Sequence, residues 1–214
     1  MRLLQALSET ALGRAVIAYV FDLPRWTLAN ILFAAALIPA YLVLTQGLLL
    51  TVGVATLPTV LVLAGMINMA ASQTAEDAPR LRHAFAYPAT LPTVFIVWTG
   101  AVIAQVLLLL SASLVVVFLI GIALFSLLMI GVFAIYMPSQ LKVNGLLIWR
   151  NALVMAVSSP IVALGLLVLA GIGAWAVWVS KGALIVVIPS LWVILAAFTV
   201  DDRIKTLQAV QQQS

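Results

Sequence analysis

Inside its apolar stretches this sequence offers amides and hydroxyls for chemistry and no Asp, Glu, Lys, Arg or His. The candidates are Asn30, Asn68 and Gln105, with Thr27, Thr59, Thr99, Ser126, Ser158 and Ser159. Such groups can line a polar pocket for a neutral ligand. They can equally tie neighbouring helices together, for about 0.6 kcal/mol each on average. Proton-coupled and many ion-coupled carriers place Asp, Glu, Lys, Arg or His near mid-membrane, so the absence of these types from the apolar stretches argues against such mechanisms.

A second constellation lies in the polar connection SQTAEDAPRLRHAFAYPAT, residues 72–90, where Glu76, Asp77, Arg80 and Arg82 could dock a partner. The alternative is a solvated loop whose arginines only fix orientation. His83 is the sole histidine and there is no cysteine. Thiolate nucleophiles, disulfides and cysteine zinc sites are therefore excluded, and the histidine has no evident partner for a metal or a relay. The sequence implies no cofactor, and without clustered His, Asp, Glu or Cys it does not read as an enzyme.

The elements that must carry these residues follow from composition. Of 214 residues, 65% are apolar and 7% charged, whereas a soluble domain carries about 25% charged residues. The expected fold class is an all-α, polytopic membrane bundle in one domain, with the lipid bilayer as its surroundings. The net charge of +4 is read through membrane orientation rather than as nucleic-acid binding. Charge-free runs cover 26–75, 84–141, 151–180 and 182–200, of 50, 58, 30 and 19 residues. A single span needs about 20 residues. The first two runs are each long enough for a hairpin, turning at Thr45-Gln46-Gly47 and Ser111-Ala112-Ser113. Six transmembrane helices in three hairpins are expected, at about 26–44, 48–71, 91–110, 114–136, 152–178 and 183–200, with 201–214 as a tail.

The start of the chain does not read as a signal peptide, because Arg14 and the polar Ser8, Glu9 and Thr10 interrupt any apolar core. Residues 1–25 are expected to form an interfacial amphipathic helix with Leu3, Leu4, Leu7 and Ala11 on its apolar face. Nine basic residues fall on one side: Arg2, Arg14, Arg25, Arg80, Arg82, Lys142, Arg150, Arg203 and Lys205. Lys181 alone falls on the other. The positive-inside rule makes the nine-charge side, with both termini, cytoplasmic. Trp26, Tyr87, Tyr136 and Trp149 are expected at the inner interface and Trp175 and Trp178 at the outer, with Trp98 and Trp192 packed between helices.

Pro39, Pro58, Pro160 and Pro189 lie inside expected spans and predict kinks, with Ser158-Ser159-Pro160 as the hinge candidate. The hexapeptide ATLPTV occurs at 55–60 and 89–94, a short match of the kind this composition produces by chance. The segment PSQLKVNGLLIWRN, residues 138–151, alternates polar and apolar residues and is expected along the membrane surface.

LANILFAAALIP, residues 28–39, resembles the first span of the YesL-type bacterial membrane proteins, with Asn30 and Pro39 at the two marked positions. FAIYMPSQLKVNGLLIWRNALVMAVSSPIVAL, residues 133–164, is similar to that family's fourth-span exit, amphipathic connection and fifth-span start. The chain departs after Pro39, with AYLVLTQG where the family tends to have Thr-x-Gly. The resemblance implies a bacterial inner-membrane protein of unknown molecular function, associated with carbohydrate uptake, and carries over no catalytic residue. An accessory role beside subunits of a carbohydrate ABC transporter is the leading expectation. The rival is a permease or substrate-binding membrane subunit for a neutral solute, although the Glu-Ala-Ala-x-x-x-Gly coupling signature of ABC permeases is missing.

Overall fold

Uncharged aliphatic runs that cannot hydrogen-bond to lipid must satisfy their backbone internally, and the helix is the local way to do so. The computed structural model describes residues 10–74, 90–141 and 145–213; among them every regular element is helical and there is no strand. The helices are α1 (Ala11–Phe21), α2 (Leu23–Thr45), α3 (Leu49–Ala55), α4 (Leu57–Thr74), α5 (Thr90–Leu110), α6 (Leu114–Ala134), α7 (Met137–Leu141), α8 (Leu146–Ser158), α9 (Pro160–Val179) and α10 (Ile188–Gln213). A 3₁₀ turn, Ala183–Val186, precedes α10.

Five segments are long and apolar enough to cross a membrane: Leu23–Thr45, Leu57–Thr74, Thr90–Leu110, Leu114–Leu141 and Pro160–Val179. Half of the α4 stretch is buried, against 11–17% of the others, so α4 is the central helix and the rest present most of their surface outward. The buried set is rich in small residues, including Ala64, Ala70, Ala152, Ala163, Ala196 and Ala197. Large aliphatic and aromatic side chains such as Leu114, Phe118, Ile161 and Trp178 face out. That arrangement suits lipid, where association depends on close backbone approach rather than on escape from water. In the α5–α6 pair, a Cβ at Gly100 would collide with Leu127, and one at Gly131 would crowd Val97.

The structure departs from the sequence reading at three of the expected spans. The stretch 48–71 is interrupted at Thr56, where α3 ends and α4 restarts. The stretch 152–178 is interrupted at Ser159, whose backbone is neither helical nor extended (φ −139°, ψ 57°) between α8 and α9. The stretch 183–200 begins as the 3₁₀ turn, and only 13 residues of α10 precede Asp201, after which the helix continues without a break to Gln213. Prolines explain these restarts. Pro58, Pro160 and Pro189 each occupy the first or second position of a helix, where a missing N–H costs nothing; only Pro39 is interior. The first copy of ATLPTV contains the restart of α4, the described residues 90–94 of the second open α5, and Thr59 and Val60, Thr93 and Val94 are buried alike.

Two aromatic placements also differ. Trp26 and Tyr136 are fully buried in the core, with none of the outward-facing surface that a belt aromatic presents. The Tyr136 hydroxyl donates to the Val193 carbonyl (3.0 Å), while the Trp26 indole N–H has no partner among the described residues. Trp98 and Trp192 pack between helices and donate to Thr56 Oγ1 and the Leu166 carbonyl, both at 2.9 Å.

Leu3, Leu4 and Leu7 lie outside the described residues. The single helix expected over 1–25 is instead divided at Asp22, with residues 23–25 already in α2; α1 is capped by Thr10, whose Oγ1 accepts from the Gly13 N–H (3.0 Å). It buries Ala15 and Tyr19 and packs against α10, while Leu12, Val16 and Val20 are exposed on another face.

Candidate functional site

Two of the buried polar residues, Asn30 and Ser190, meet at the start of α10. A helix leaves its first N–H groups and last C=O groups without internal partners, and a break inside an apolar bundle strands both kinds where water is scarce. At the break between the 3₁₀ turn and α10, Asn30 of α2 supplies both partners. Its Nδ2 donates to the Val186 carbonyl and to Ser190 Oγ, each at 2.7 Å, and its Oδ1 accepts from the Ser190 N–H at 3.1 Å. Ser190 Oγ in turn donates to the Val187 carbonyl (3.1 Å). Asn30 and Ser190 are both fully buried, so one side-chain amide replaces the peptide unit missing from the interrupted helix.

Further ties follow along α10 towards its charged half. Tyr136 engages the Val193 carbonyl, Gln140 Nε2 donates to the Ala197 carbonyl (3.0 Å), and Arg14 of α1 pairs with Asp202 while its guanidinium lies 5.1 Å from the centre of the Phe198 ring. At the same end Arg25 pairs with Asp22 (2.7 Å) and Lys205 with Asp201 (2.7 Å). Gln73 Nε2, at the end of α4, donates to Asp22 Oδ2 (3.2 Å).

The remaining intramembrane candidates hold other helix pairs. Thr90 of α5 donates to Asn68 Oδ1 of α4 (2.5 Å). Gln105 Nε2 of α5 donates to the Leu49 carbonyl of α3 (3.0 Å), beside the close approach at Gly53. Thr56 closes the α3–α4 break by donating to the Gly53 carbonyl (2.5 Å) and accepting from Trp98. Thr59 Oγ1 donates to the Ala36 carbonyl of α2 (3.1 Å), next to the Ala35 carbonyl that Pro39 cannot serve. Ser158 is exposed and donates within its own turn, to the Met155 carbonyl (3.2 Å). The three amides thus sit on three different helix pairs, and Ser158 and Ser159 stand apart at the α8–α9 break.

Glu76, Asp77, Arg80 and Arg82, the proposed docking residues, lie outside the described residues, as does His83. Ser190, Gln140 and Gln73 were not singled out from sequence, and Tyr136 was expected only as an interfacial aromatic. Ser190 had a signal in its position directly after a proline, whereas the others had only their polarity. Among the described residues no group of three or more His, Cys, Asp or Glu side chains is placed to hold a metal. The chemistry of this arrangement is hydrogen bonding to backbone, which fixes helices against one another. In comparisons with known proteins, the chain matches no family model, no curated protein and no solved structure.

Proposed function

We propose that this chain is a non-enzymatic accessory protein of the bacterial inner membrane that binds subunits of a carbohydrate ABC-type transporter through its charged end. The observation that carries the reading is the course of α10, which leaves the apolar region at Val200 and continues as helix to Gln213 with α1 packed along it. A helix pair joined by Arg14–Asp202 is a stiffer platform than a free tail. Glu76, Asp77, Arg80 and Arg82, which lie outside the described residues, are the docking residues of this reading. The choice of a carbohydrate transporter rests on the resemblance at 28–39 and 133–164.

In this reading the chain crosses the membrane six times with both termini cytoplasmic. The sixth crossing combines the 3₁₀ turn with the apolar half of α10; at about 2.0 Å and 1.5 Å per residue these reach roughly 8 Å and 20 Å, close to the thickness of about 30 Å. The nine-to-one distribution of Lys and Arg supports the orientation. Reporter fusions that put Arg82 and the carboxyl end on opposite faces would overturn this topology.

A second reading, a transport component for a neutral solute, is favoured by the interrupted helices at Thr56, Ser159 and Val187, since discontinuous helices often frame transporter sites. One experiment separates the two. The tagged full chain, purified in a mild detergent, brings transporter subunits with it if it is an accessory, and recovery falls when Arg80 and Arg82 are replaced by Ala. A preparation free of such subunits that moves sugar into liposomes alone establishes the second reading instead.

A further inference from the structure

At the charged end a cleft of about 430 Å³ opens between α7, α8 and α10, within the roughly 300 to 1,000 Å³ of small-ligand sites. Its floor is apolar, with Met137, Met155 and Ile204 only 1%, 3% and 7% exposed. Arg150, Asn151 and Gln208 supply its polar lining. The carboxylates described at this end are already engaged: Asp22 with Arg25, Asp201 with Lys205, Asp202 with Arg14. None of them lines the cleft, so Arg150 faces it without an acidic partner among the described residues.

The surface beside Arg150 identifies the environment. Leu146 and Leu147, on the first turn of α8, are 88% and 52% exposed. Bare aliphatic surface next to a guanidinium suits the boundary between headgroups and acyl chains, where leucines enter the hydrocarbon and the cation stays at phosphate level. Basic pockets between membrane helices at this depth are suited to acidic headgroups.

We propose that this cleft is a binding site for an anionic phospholipid of the phosphatidylglycerol type. The Arg150 guanidinium donates to the phosphodiester oxygens, Asn151 and Gln208 hydrogen-bond the headgroup glycerol, and an acyl chain covers Met137, Met155 and Ile204. A zwitterionic headgroup is disfavoured because its ammonium meets no carboxylate in the lining. The site does not depend on the accessory reading.

Native mass spectrometry of the full chain, released from micelles holding equal amounts of dioleoyl phosphatidylglycerol and dioleoyl phosphatidylcholine, tests it. The wild type is expected to retain the anionic lipid about fivefold over the zwitterionic one, the effect of one basic residue near a lipid surface. Arg150→Gln removes that preference and Arg150→Lys keeps most of it. Arg203→Gln, which alters a neighbouring cation outside the cleft lining, leaves the preference in place. Equal retention of both lipids by the wild type, a preference surviving Arg150→Gln, or an equal loss in Arg203→Gln would each refute the site.

Discussion

The breaks at Val187 and Ser159 carry the same sequence mark, a serine beside a proline in an apolar run, and are closed in opposite ways. At Ser159 the chain serves itself: the Ser159 N–H donates to the Met155 carbonyl (2.9 Å), the Ser158 hydroxyl reaches the same carbonyl, and the Val162 N–H donates to the Ser159 carbonyl (3.1 Å). At Val187 the groups on both sides of the gap bond to Asn30, a residue of α2 more than 150 positions earlier in the chain. At the first site Ser158 is exposed and Ser159 half-buried, whereas at the second the polar groups that close the gap, Asn30 and Ser190, are fully buried although Val186 and Val187 are exposed. A helix restart is therefore a local property of serine and proline, whereas its dependence on a distant side chain is set by burial.

This contrast can be broken experimentally, beginning where the effect is greatest. Asn30→Ala leaves the Val186 carbonyl and the Ser190 N–H without the amide and is expected to cost about 3 kcal/mol, at roughly 1 to 3 kcal/mol per stranded group. A lowered midpoint of unfolding in mixed micelles measures it. Ser190→Ala removes one hydroxyl from the same cluster and is expected to cost about 1 kcal/mol. The double variant should cost less than the sum, because the two side chains share a bond; strict additivity would show that they act separately. Trp98→Phe loses the single tie to Thr56 and should cost about 0.6 kcal/mol. Ser158→Ala, at the self-closed break, should lie within about 0.5 kcal/mol of the wild type. A loss there comparable to that of Asn30→Ala would abolish the distinction between the two breaks.

Hydropathy and charge made the helical class and the apolar segments legible, because ionised groups avoid hydrocarbon wherever they stand in the sequence. The interruptions were not legible from the same signal. Leu57-Pro58, Ser159-Pro160 and Ile188-Pro189 sit in runs as apolar as any continuous span, so a proline that opens a helix looks like one that bends it. The course of α10 past Val200 was hidden for the opposite reason: charges at Asp201 and Asp202 end the hydrophobic run without ending the helix. Asn30 was recognisable as an unusual residue in its segment. Its partners were not, since Ser190 and the Val186 carbonyl are brought to it only by the folding of the whole chain. Trp26 and Tyr136 misled because an aromatic near a charged boundary serves an interfacial belt and a core equally well.

The Asn30 clasp also orders events during biosynthesis. Asn30 leaves the ribosome long before Ser190 exists, so in the growing chain its amide must bond to water, lipid headgroups or the insertion machinery. Arrival of the last segment lets the amide exchange those temporary partners for Val186 and Ser190, which makes this contact a late check that both ends of the polypeptide have been delivered. A product cut short before residue 186 would retain in its first long helix an amide without these partners.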